Sequence, residues 1–280
     1  MLCGAMKIIN HLLCLDDDKP CAFAKTPNQG GAITPQYLVI HFTASHSAQV
    51  AINWLTNPDA KASAHVVIAR DGTITQLVPF NQEAWHAGKS HWDGHDGLNH
   101  LSLGIELDNA GKLTRKGSKW VDWTGKEIPD SEVREATHKN ETEKAAWHAY
   151  SEAQLEAVRE LAALLVQTYK LKDVIGHEDI APGRKTDPGP LFPLQELRAQ
   201  LVGHTAERPP AIYQAMSTLR IHSAAALDAP TVPGSPLPQG TKMAVLSRQG
   251  VWCQVDVLQP VNGHEHLQGW VHEQYLQCCI

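Results

Sequence analysis

Apolar residues in the first two thirds of the chain form short continuous runs and one helical repeat. Residues 37–40 are continuously apolar, which indicates a strand buried on both faces. Asp71-Gly72 separates two further apolar segments and predicts a hairpin. Residues 101–107 predict another strand. Apolar residues recur at helical spacing over 155–169, so this segment is predicted to be a helix with one buried face.

Sequence signals for the beginnings of helices predict the remaining elements of this region. Ser151 and Gln154 form a capping-box pair ahead of the helical repeat. A short strand is predicted over 174–176, and a second short helix is predicted after Pro193. Strands that are interleaved with helices in this way predict an α/β domain.

The pattern divides the chain into three regions. Residues 1–36 are predicted to be a lead-in, residues 37–203 the α/β domain, and residues 217–280 an all-β domain that follows a proline-bearing linker over 204–216. Within the α/β domain, the polar segment 111–149 is predicted to be irregular, as an insertion or a lid over a groove. The all-β region is predicted to be a small barrel with turns rich in Pro and Gly. Its expected strands are 219–222, 243–246, 251–257 and 269–271.

Composition excludes several classes of function. The 280 residues are 42% hydrophobic and 19% charged, as in ordinary soluble proteins of two domains, and the net charge of −6 argues against a nucleic-acid partner. The sequence has no apolar run long enough to span a bilayer. Asn10 and His11 interrupt the apolar stretch near the start, so no signal peptide is predicted. The six cysteines match no zinc-ribbon or redox pattern, which leaves free thiols or an incidental disulfide between the two ends.

Three residues with metal-ligand chemistry follow the predicted strands. His41 stands at the end of the predicted strand, directly after residues 37–40, and His177 follows the strand predicted over 174–176. A proline-rich loop then leads from His177 to Asp187. A hydrolytic zinc site needs three protein ligands and an open position, and imidazole and carboxylate groups suit the metal. The three residues together therefore form a candidate zinc site, although each one alone would more often be a packed or surface residue.

The motifs around these residues resemble one family. They are Ser63-Ala-His65, Ala84-Trp-His-Ala-Gly88, Leu103-Gly-Ile-Glu-Leu107 and the segment 176–190, which runs from Gly-His-Glu-Asp to Asp-Pro-Gly-Pro. In this order they resemble the N-acetylmuramoyl-L-alanine amidases of the amidase type 2 family, which shares its fold with the peptidoglycan recognition proteins. The resemblance covers about residues 37–200. It implies a central mixed β-sheet flanked by helices.

The resemblance also implies roles for particular residues. His41, His177 and Asp187 fall on the zinc ligands, Glu106 falls on a catalytic glutamate, and Lys185 falls on a catalytic lysine. Glu106 would be the general base and acid, and Lys185 would stabilise the oxyanion. His65 and His86 lie in motif positions expected to be structural or to line the groove. The other histidines of the region are expected at the surface or the cleft rim, and its tryptophans are expected to pack or to stack on sugar rings (His46, His91, His95 and His100; Trp85, Trp92, Trp120 and Trp123).

Residues 217–280 look like a bacterial SH3 domain. The likeness rests on residues 219–222, 237–240, 250–252 and 269–276. Domains of this kind commonly bind cell-wall peptide and accompany wall hydrolases. Here the first strand continues as Ser-Ala-Ala-Ala rather than the usual serine-glycine-proline, so this copy either binds ligand or only packs against the catalytic domain.

These resemblances imply zinc-dependent hydrolysis of the amide between N-acetylmuramic acid and L-alanine in peptidoglycan or muropeptides. The alternatives are a non-catalytic peptidoglycan-recognition module and a protein whose SH3-like domain is the recognition unit. Because all three ligand positions are filled, the enzyme is favoured. It would act on the cell wall, in the periplasm or outside the cell. Three routes are compatible: cytoplasmic recycling of wall fragments, release as a lysin, or delivery as an antibacterial toxin with an immunity or inhibitor protein as its partner.

Overall fold

The computed structural model describes residues 6–15, 19–203, 212–265 and 267–279. Contacts divide the chain into one unit of residues 1–90, 97–177 and 187–206 and a second unit of residues 91–96, 178–186 and 207–280. The helices are α1 (Ala48–Leu55), α2 (Glu152–Tyr169), α3 (His177–Ile180) and α4 (Leu194–Val202). The strands are β1 (Lys7–Ile9), β2 (Leu12–Cys14), β3 (Ala22–Phe23), β4 (Gln29–Ala32), β5 (Tyr37–Phe42), β6 (Val66–Ile68), β7 (Ile74–Gln76), β8 (Gln82–Ala84), β9 (His91–Trp92), β10 (His95–Asp96), β11 (Ser102–Leu107), β12 (Lys112–Lys116), β13 (Lys119–Val121), β14 (Glu127–Ile128), β15 (Val133–Thr137), β16 (Lys144–His148), β17 (Asp173–Gly176), β18 (Ile212–Ala215), β19 (Lys242–Gln249), β20 (Trp252–Val257), β21 (Gln268–His272) and β22 (Leu276–Cys278).

A six-stranded mixed sheet forms the centre of the first unit. Its order is β17-β5-β11-β6-β7-β3, with parallel pairing from β17 to β6 and an antiparallel pair between β6 and β7. The predicted mixed sheet is therefore confirmed, and so is the hairpin at Asp71-Gly72. The strand expected over 37–40 is confirmed as β5. Its residues 37–41 are all buried, as in parallel sheets whose two faces are both covered by other elements.

Helix α2 covers this sheet as its apolar repeat predicts. Ser151 and Gln154 form the capping box, and the buried face includes Val158, Leu161 and Leu165. These residues pack in one core with residues of the central strands, such as Leu38 and Leu103. Each such side chain contributes about 1.5–3 kcal/mol of burial free energy. The helix expected after Pro193 is confirmed as α4.

The segment before residue 37 is more than the lead-in that the sequence predicts. Strand β3 pairs with β7 at the edge of the central sheet, and β4 pairs with β8. Leu13 of β2 is fully buried in the main core. These strands are two to four residues long, so they are too short to show a period-2 pattern in sequence. Residues 1–5 and 16–18, which bear on the prediction that there is no signal peptide, lie outside the described residues.

Residues 111–149 contain regular structure where the sequence predicts an irregular segment. Five strands form an antiparallel sheet in the order β14-β13-β12-β16-β15. The sheet has only a small apolar core, formed by Ala110, Leu113, Ile128 and Ala146. Because most of its side chains are polar or exposed, apolar periodicity gives little signal there. Its role as an insertion or lid stays a prediction.

The C-terminal part of the second unit is a five-stranded antiparallel sheet in the order β21-β20-β19-β18-β22. Its core includes Ile221, Leu237, Val255 and Val271. The strands expected over 243–246, 251–257 and 269–271 are confirmed as β19, β20 and β21. Residues 219–222 form only isolated bridges. Strand β18 falls within the predicted linker 204–216, whose residues 204–211 lie outside the described part.

Two further observations concern thiols and membranes. Cys14 and Cys21 are buried free thiols, and Cys3 lies outside the described residues. Among the helices of the described residues, none is long and apolar enough to cross a membrane.

Candidate active site

The central parallel strands bring the first two candidate residues side by side. His41 lies near the carboxyl end of β5 and is 1% exposed. Glu106 lies on the neighbouring strand β11, directly opposite His41 in the register. Residues that pair in this way direct their side chains to the same face of a sheet. The half-buried Glu106 therefore lies on the face where His41 projects.

His177 and Asp187 come from the next strand and the loop that follows. Strand β17 is the other parallel neighbour of β5 and ends at Gly176, so His177 begins α3 beside the end of β5. Beyond Asp187, the hydroxyl of Tyr150 donates a hydrogen bond of 2.7 Å to the Pro188 carbonyl. This contact ties the end of the loop to the segment before α2. Asp187 and Pro188 belong to the first unit.

The three predicted ligands converge on one point. His41 Nδ1, His177 Nδ1 and Asp187 Oδ2 are each 2.9 Å from the other two atoms. All three residues are buried, and within the described residues they are the one group of histidines, cysteines and carboxylates placed to hold a metal ion. The sequence reasoning placed these residues together, and the structure brings them together.

The donor set fits a divalent metal. His177 Nε2 donates a hydrogen bond of 3.1 Å to the Ala87 carbonyl, so the proton of the neutral ring lies on Nε2 and the Nδ1 lone pair faces the site. A carboxylate oxygen and imidazole lone pairs repel one another at 2.9 Å unless a cation or a proton lies among them. Two imidazoles and one carboxylate form a ligand set that catalytic zinc sites use.

Electrostatics keep the carboxylate of this group ionised. Burial alone would raise the pKa of Asp187, but the neighbouring His177 and His41 rings outweigh burial and hold its pKa well below the usual range. Burial holds the pKa of His86 well below its ordinary value, and the nearby His41 and His65 rings lower it further. Asp187 is thus held in the ionised form that metal binding requires of a carboxylate ligand.

His65 is structural, as its motif position predicts. It is fully buried, with Nδ1 accepting a 3.0 Å hydrogen bond from the Gly104 amide and Nε2 donating a 2.9 Å bond to the Gln82 carbonyl. Both ring nitrogens are therefore used inside the fold. Burial lowers the pKa of His65 from 6.5 to about 4.

This depressed pKa predicts a loss of stability in acid. The unfolded chain binds a proton at His65 below pH 6.5, whereas the folded chain accepts it only near pH 4. The contribution to the unfolding free energy is thus fully present above pH 6.5 and falls by about 3 kcal/mol as the pH falls to about 4. His65→Asn, whose amide oxygen can still accept from Gly104, should show a flatter profile in urea unfolding across this range. Parallel profiles for wild type and variant would contradict the assignment.

The remaining candidates occupy different environments. Lys185 is half-buried on the loop two residues before Asp187, and its backbone amide donates to the Ala181 carbonyl. His46, His95 and His100 are exposed as predicted, whereas His91 is buried against Asp96, contrary to the prediction. That pair closes the β9–β10 hairpin. Of the four tryptophans proposed for packing or sugar stacking, Trp123 is 76% exposed, and its indole donates to the Ala44 carbonyl.

Sequence reasoning missed Asn99. Its side-chain oxygen accepts hydrogen bonds from the backbone amides of His86 and Ala87, at 3.1 and 2.7 Å. Asn99 belongs to none of the motifs, and it lies in a 3-10 helix, Leu98–His100, that is too short to carry a periodic signal.

Comparisons with known proteins agree on one family. Residues 31–190, more than half of the chain, match the model of the Amidase_2 family, described as N-acetylmuramoyl-L-alanine amidase. The N-acetylmuramoyl-L-alanine amidase AmiD of Escherichia coli (strain K12) is 34% identical over 64% of this chain and 58% of its own length. The 1,6-anhydro-N-acetylmuramyl-L-alanine amidase AmpD of the same strain is 30% identical over 68% of this chain and 88% of its own length.

Two solved structures align with part of this chain. A selenomethionine derivative of AmpD aligns with a TM-score of 0.49 at 26% identity, over 69% of this chain and 99% of that chain. AmiD from E. coli, in complex with anhydro-N-acetylmuramic acid-L-Ala-D-gamma-Glu-L-Lys, aligns with a TM-score of 0.46 at 31% identity, over 72% of this chain and 67% of that chain. The match to the family model over 31–190 is what decides the assignment: the chain belongs to the Amidase_2 family of N-acetylmuramoyl-L-alanine amidases.

Proposed function

We propose that this protein is a zinc-dependent amidase that hydrolyses the bond between N-acetylmuramic acid and L-alanine in peptidoglycan or its muropeptide fragments. The observation that carries the proposal is the convergence of His41, His177 and Asp187, with each pair of ligand atoms 2.9 Å apart, beside Glu106. This arrangement lies inside the segment that matches the amidase family. The AmiD and AmpD relatives carry the same bond in their names.

Each residue has a distinct task in the proposed reaction. His41, His177 and Asp187 would hold the zinc, which would supply Lewis-acid polarisation and a nucleophile at neutral pH. Glu106 takes a proton from the attacking water and later delivers one to the amine of the departing L-alanine. Lys185 stabilises the negative oxygen that develops on the lactyl carbonyl. The products are a muramic-acid carboxylate and a stem peptide with a free amino terminus.

The competing proposal is a module that binds peptidoglycan without cutting it. Such a module has no need for three converging ligands or for a carboxylate beside them. Here the ligand atoms face one another, and Glu106 shares the face of the sheet with His41. These features favour the enzyme.

The C-terminal sheet supports a second part of the proposal. We propose that residues 217–280, together with β18, form an SH3-like domain that accompanies the catalytic domain on intact wall. Its five antiparallel strands enclose an apolar core of their own. An added domain of this kind favours intact wall over small recycled fragments. The proposed setting is therefore a lysin or a delivered antibacterial effector that works outside the inner membrane, the latter with an immunity protein as partner.

Digestion of purified peptidoglycan tests the activity and the metal together. The zinc-loaded protein should release stem peptides that are identified by mass. A chelator should stop the release, and added zinc should restore it. Release of cut sugars in place of stem peptides would contradict the proposed bond. Full activity after chelation, with zinc absent by elemental analysis, would contradict the proposed cofactor.

A further inference from the structure

Two adjacent residues, His86 and Ala87, contact the two histidines of the candidate metal site at the ring nitrogens that face away from it. His86 Nδ1 lies 2.9 Å from His41 Nε2, and the Ala87 carbonyl accepts the 3.1 Å hydrogen bond from His177 Nε2. In both histidines the contacted atom is the ring nitrogen that faces away from the site. We propose that His86 and Ala87 form a bracket that fixes the tautomer and ring orientation of both histidines, with His86 as the positioning residue for His41.

The hydrogen bonds assign the protons in this chain of rings. His86 Nε2 lies 3.4 Å from the Ser102 carbonyl and 3.3 Å from the Ser102 hydroxyl, which itself donates to the Leu98 carbonyl at 2.7 Å. A carbonyl only accepts, so the proton of neutral His86 is on Nε2 and its Nδ1 is an acceptor. His41 must then donate from Nε2. Its Nδ1 lone pair is left to face the metal site, as the Nδ1 of His177 does.

The His86 ring packs closely against Gly104 of β11. A Cβ atom placed on Gly104 would lie 2.5 Å from His86 Cγ, so any side chain on this residue of β11 would displace the ring. His86 is 8% exposed. The side-chain oxygen of Asn99 accepts hydrogen bonds from the backbone amides of His86 and Ala87. Strand β11 therefore restricts the position of the His86 ring, and the hydrogen bonds to Asn99 hold the His86 backbone in place.

The bracket has a consequence for metal affinity. If His41 carried its proton on Nδ1, the nitrogen nearest Asp187 would have no lone pair to offer a metal. A partner that accepts from Nε2 removes that tautomer and keeps the ring from rotating. Loss of such outer partners typically weakens metal binding by about 10–100-fold. This inference rests on the proposed zinc site, but it concerns metal affinity and needs no substrate.

A pair of variants separates the hydrogen bond from the packing. His86→Leu fills a similar volume without an acceptor, and we expect it to raise the Kd for zinc by about 10–100-fold, measured by competition with a chromophoric chelator. His86→Asn places its amide oxygen where Nδ1 lies, and it should recover most of this loss. His65→Asn is the matched control, because His65 is also a buried histidine that packs against His86 but makes its hydrogen bonds elsewhere. It should leave the Kd for zinc unchanged.

A spectroscopic measurement on the wild type keeps the proposal testable if the Leu variant does not fold. In the zinc-loaded protein with nitrogen-15 histidine, His41 should be protonated on Nε2 and show scalar coupling across the hydrogen bond to His86 Nδ1. Protonation of His41 on Nδ1 would overturn the proposal. So would a folded His86→Leu protein with wild-type zinc affinity, or an equal loss in His65→Asn. Failure to cleave peptidoglycan with normal zinc binding would instead count against the proposed function alone.

Discussion

Glu106→Gln is expected to lower kcat/KM for muropeptide hydrolysis by about 10²–10⁴-fold, the typical contribution of a general acid–base group. Glu106 is half-buried on β11, opposite His41 in the parallel register, so its carboxylate shares the face of the sheet with the metal site. Glutamine keeps the size and polarity of the side chain but cannot take a proton from water. The loss should therefore appear in kcat, measured by stem-peptide release.

Zinc content and stability provide the controls for this variant. Because Glu106 is not among the three converging ligands, Glu106→Gln should bind zinc as the wild type does and unfold at the same temperature. Glu156→Gln makes the same chemical change on the exposed face of α2 and should leave activity intact. Wild-type kcat in a folded, zinc-loaded Glu106→Gln protein would remove Glu106 from the proposed mechanism.

Arg198→Ala is expected to lower the free energy of unfolding by about 3–5 kcal/mol, as when one partner of a buried ion pair is removed. The side chains of Arg198 and Asp173 are both buried, and Arg198 binds the two carboxylate oxygens of Asp173 at once, with its Nε 2.6 Å from Oδ1. The pair joins α4 to the first residue of β17. Truncation would leave the Asp173 carboxylate without its cation in the interior.

An exposed ion pair in the same unit is the matched control. Lys119 and Glu127 lie 3.2 Å apart, with side chains 61% and 62% exposed. Solvent screens such a pair, so when both variants are unfolded in urea, Lys119→Ala should lower the free energy of unfolding by less than about 1 kcal/mol. Equal and small losses in the two variants would show that the Arg198–Asp173 pair does not stabilise the fold as proposed. Since β17 ends one residue before His177, Arg198→Ala is also expected to weaken zinc binding.

The candidate metal ligands and the central elements could be predicted from the sequence for physical reasons. The apolar run of β5 and the helical repeat of α2 carry strong periodic signals, because each element buries a full face. His41 lies near the carboxyl end of β5 and His177 follows β17. Because these two strands pair in parallel, both residues lie at the same edge of the sheet. Asp187 was predicted from the motif of its loop, because no periodicity reaches it.

Other features depend on contacts that no local pattern encodes. The bracket of His86 and Ala87 arises because the turn after β8 passes behind the ends of β5 and β17, and the motif alone does not say which atoms meet. Strand β3 is two residues long, and its pairing with β7 is decided by the tertiary fold. The sheet over 111–149 buries few apolar side chains, so its sequence lacks the apolar alternation from which strands are predicted.

The central claim is hydrolysis of one particular amide, and the site of oxygen incorporation tests it most directly. The zinc-loaded protein is incubated with purified peptidoglycan in water enriched in heavy oxygen, and the products are analysed by mass. We expect stem peptides that begin with a free L-alanine amine, and glycan whose lactyl carboxylate carries the heavy isotope. Heavy oxygen at a sugar reducing end or within the stem peptide, with the lactyl–alanine amide intact, would contradict it.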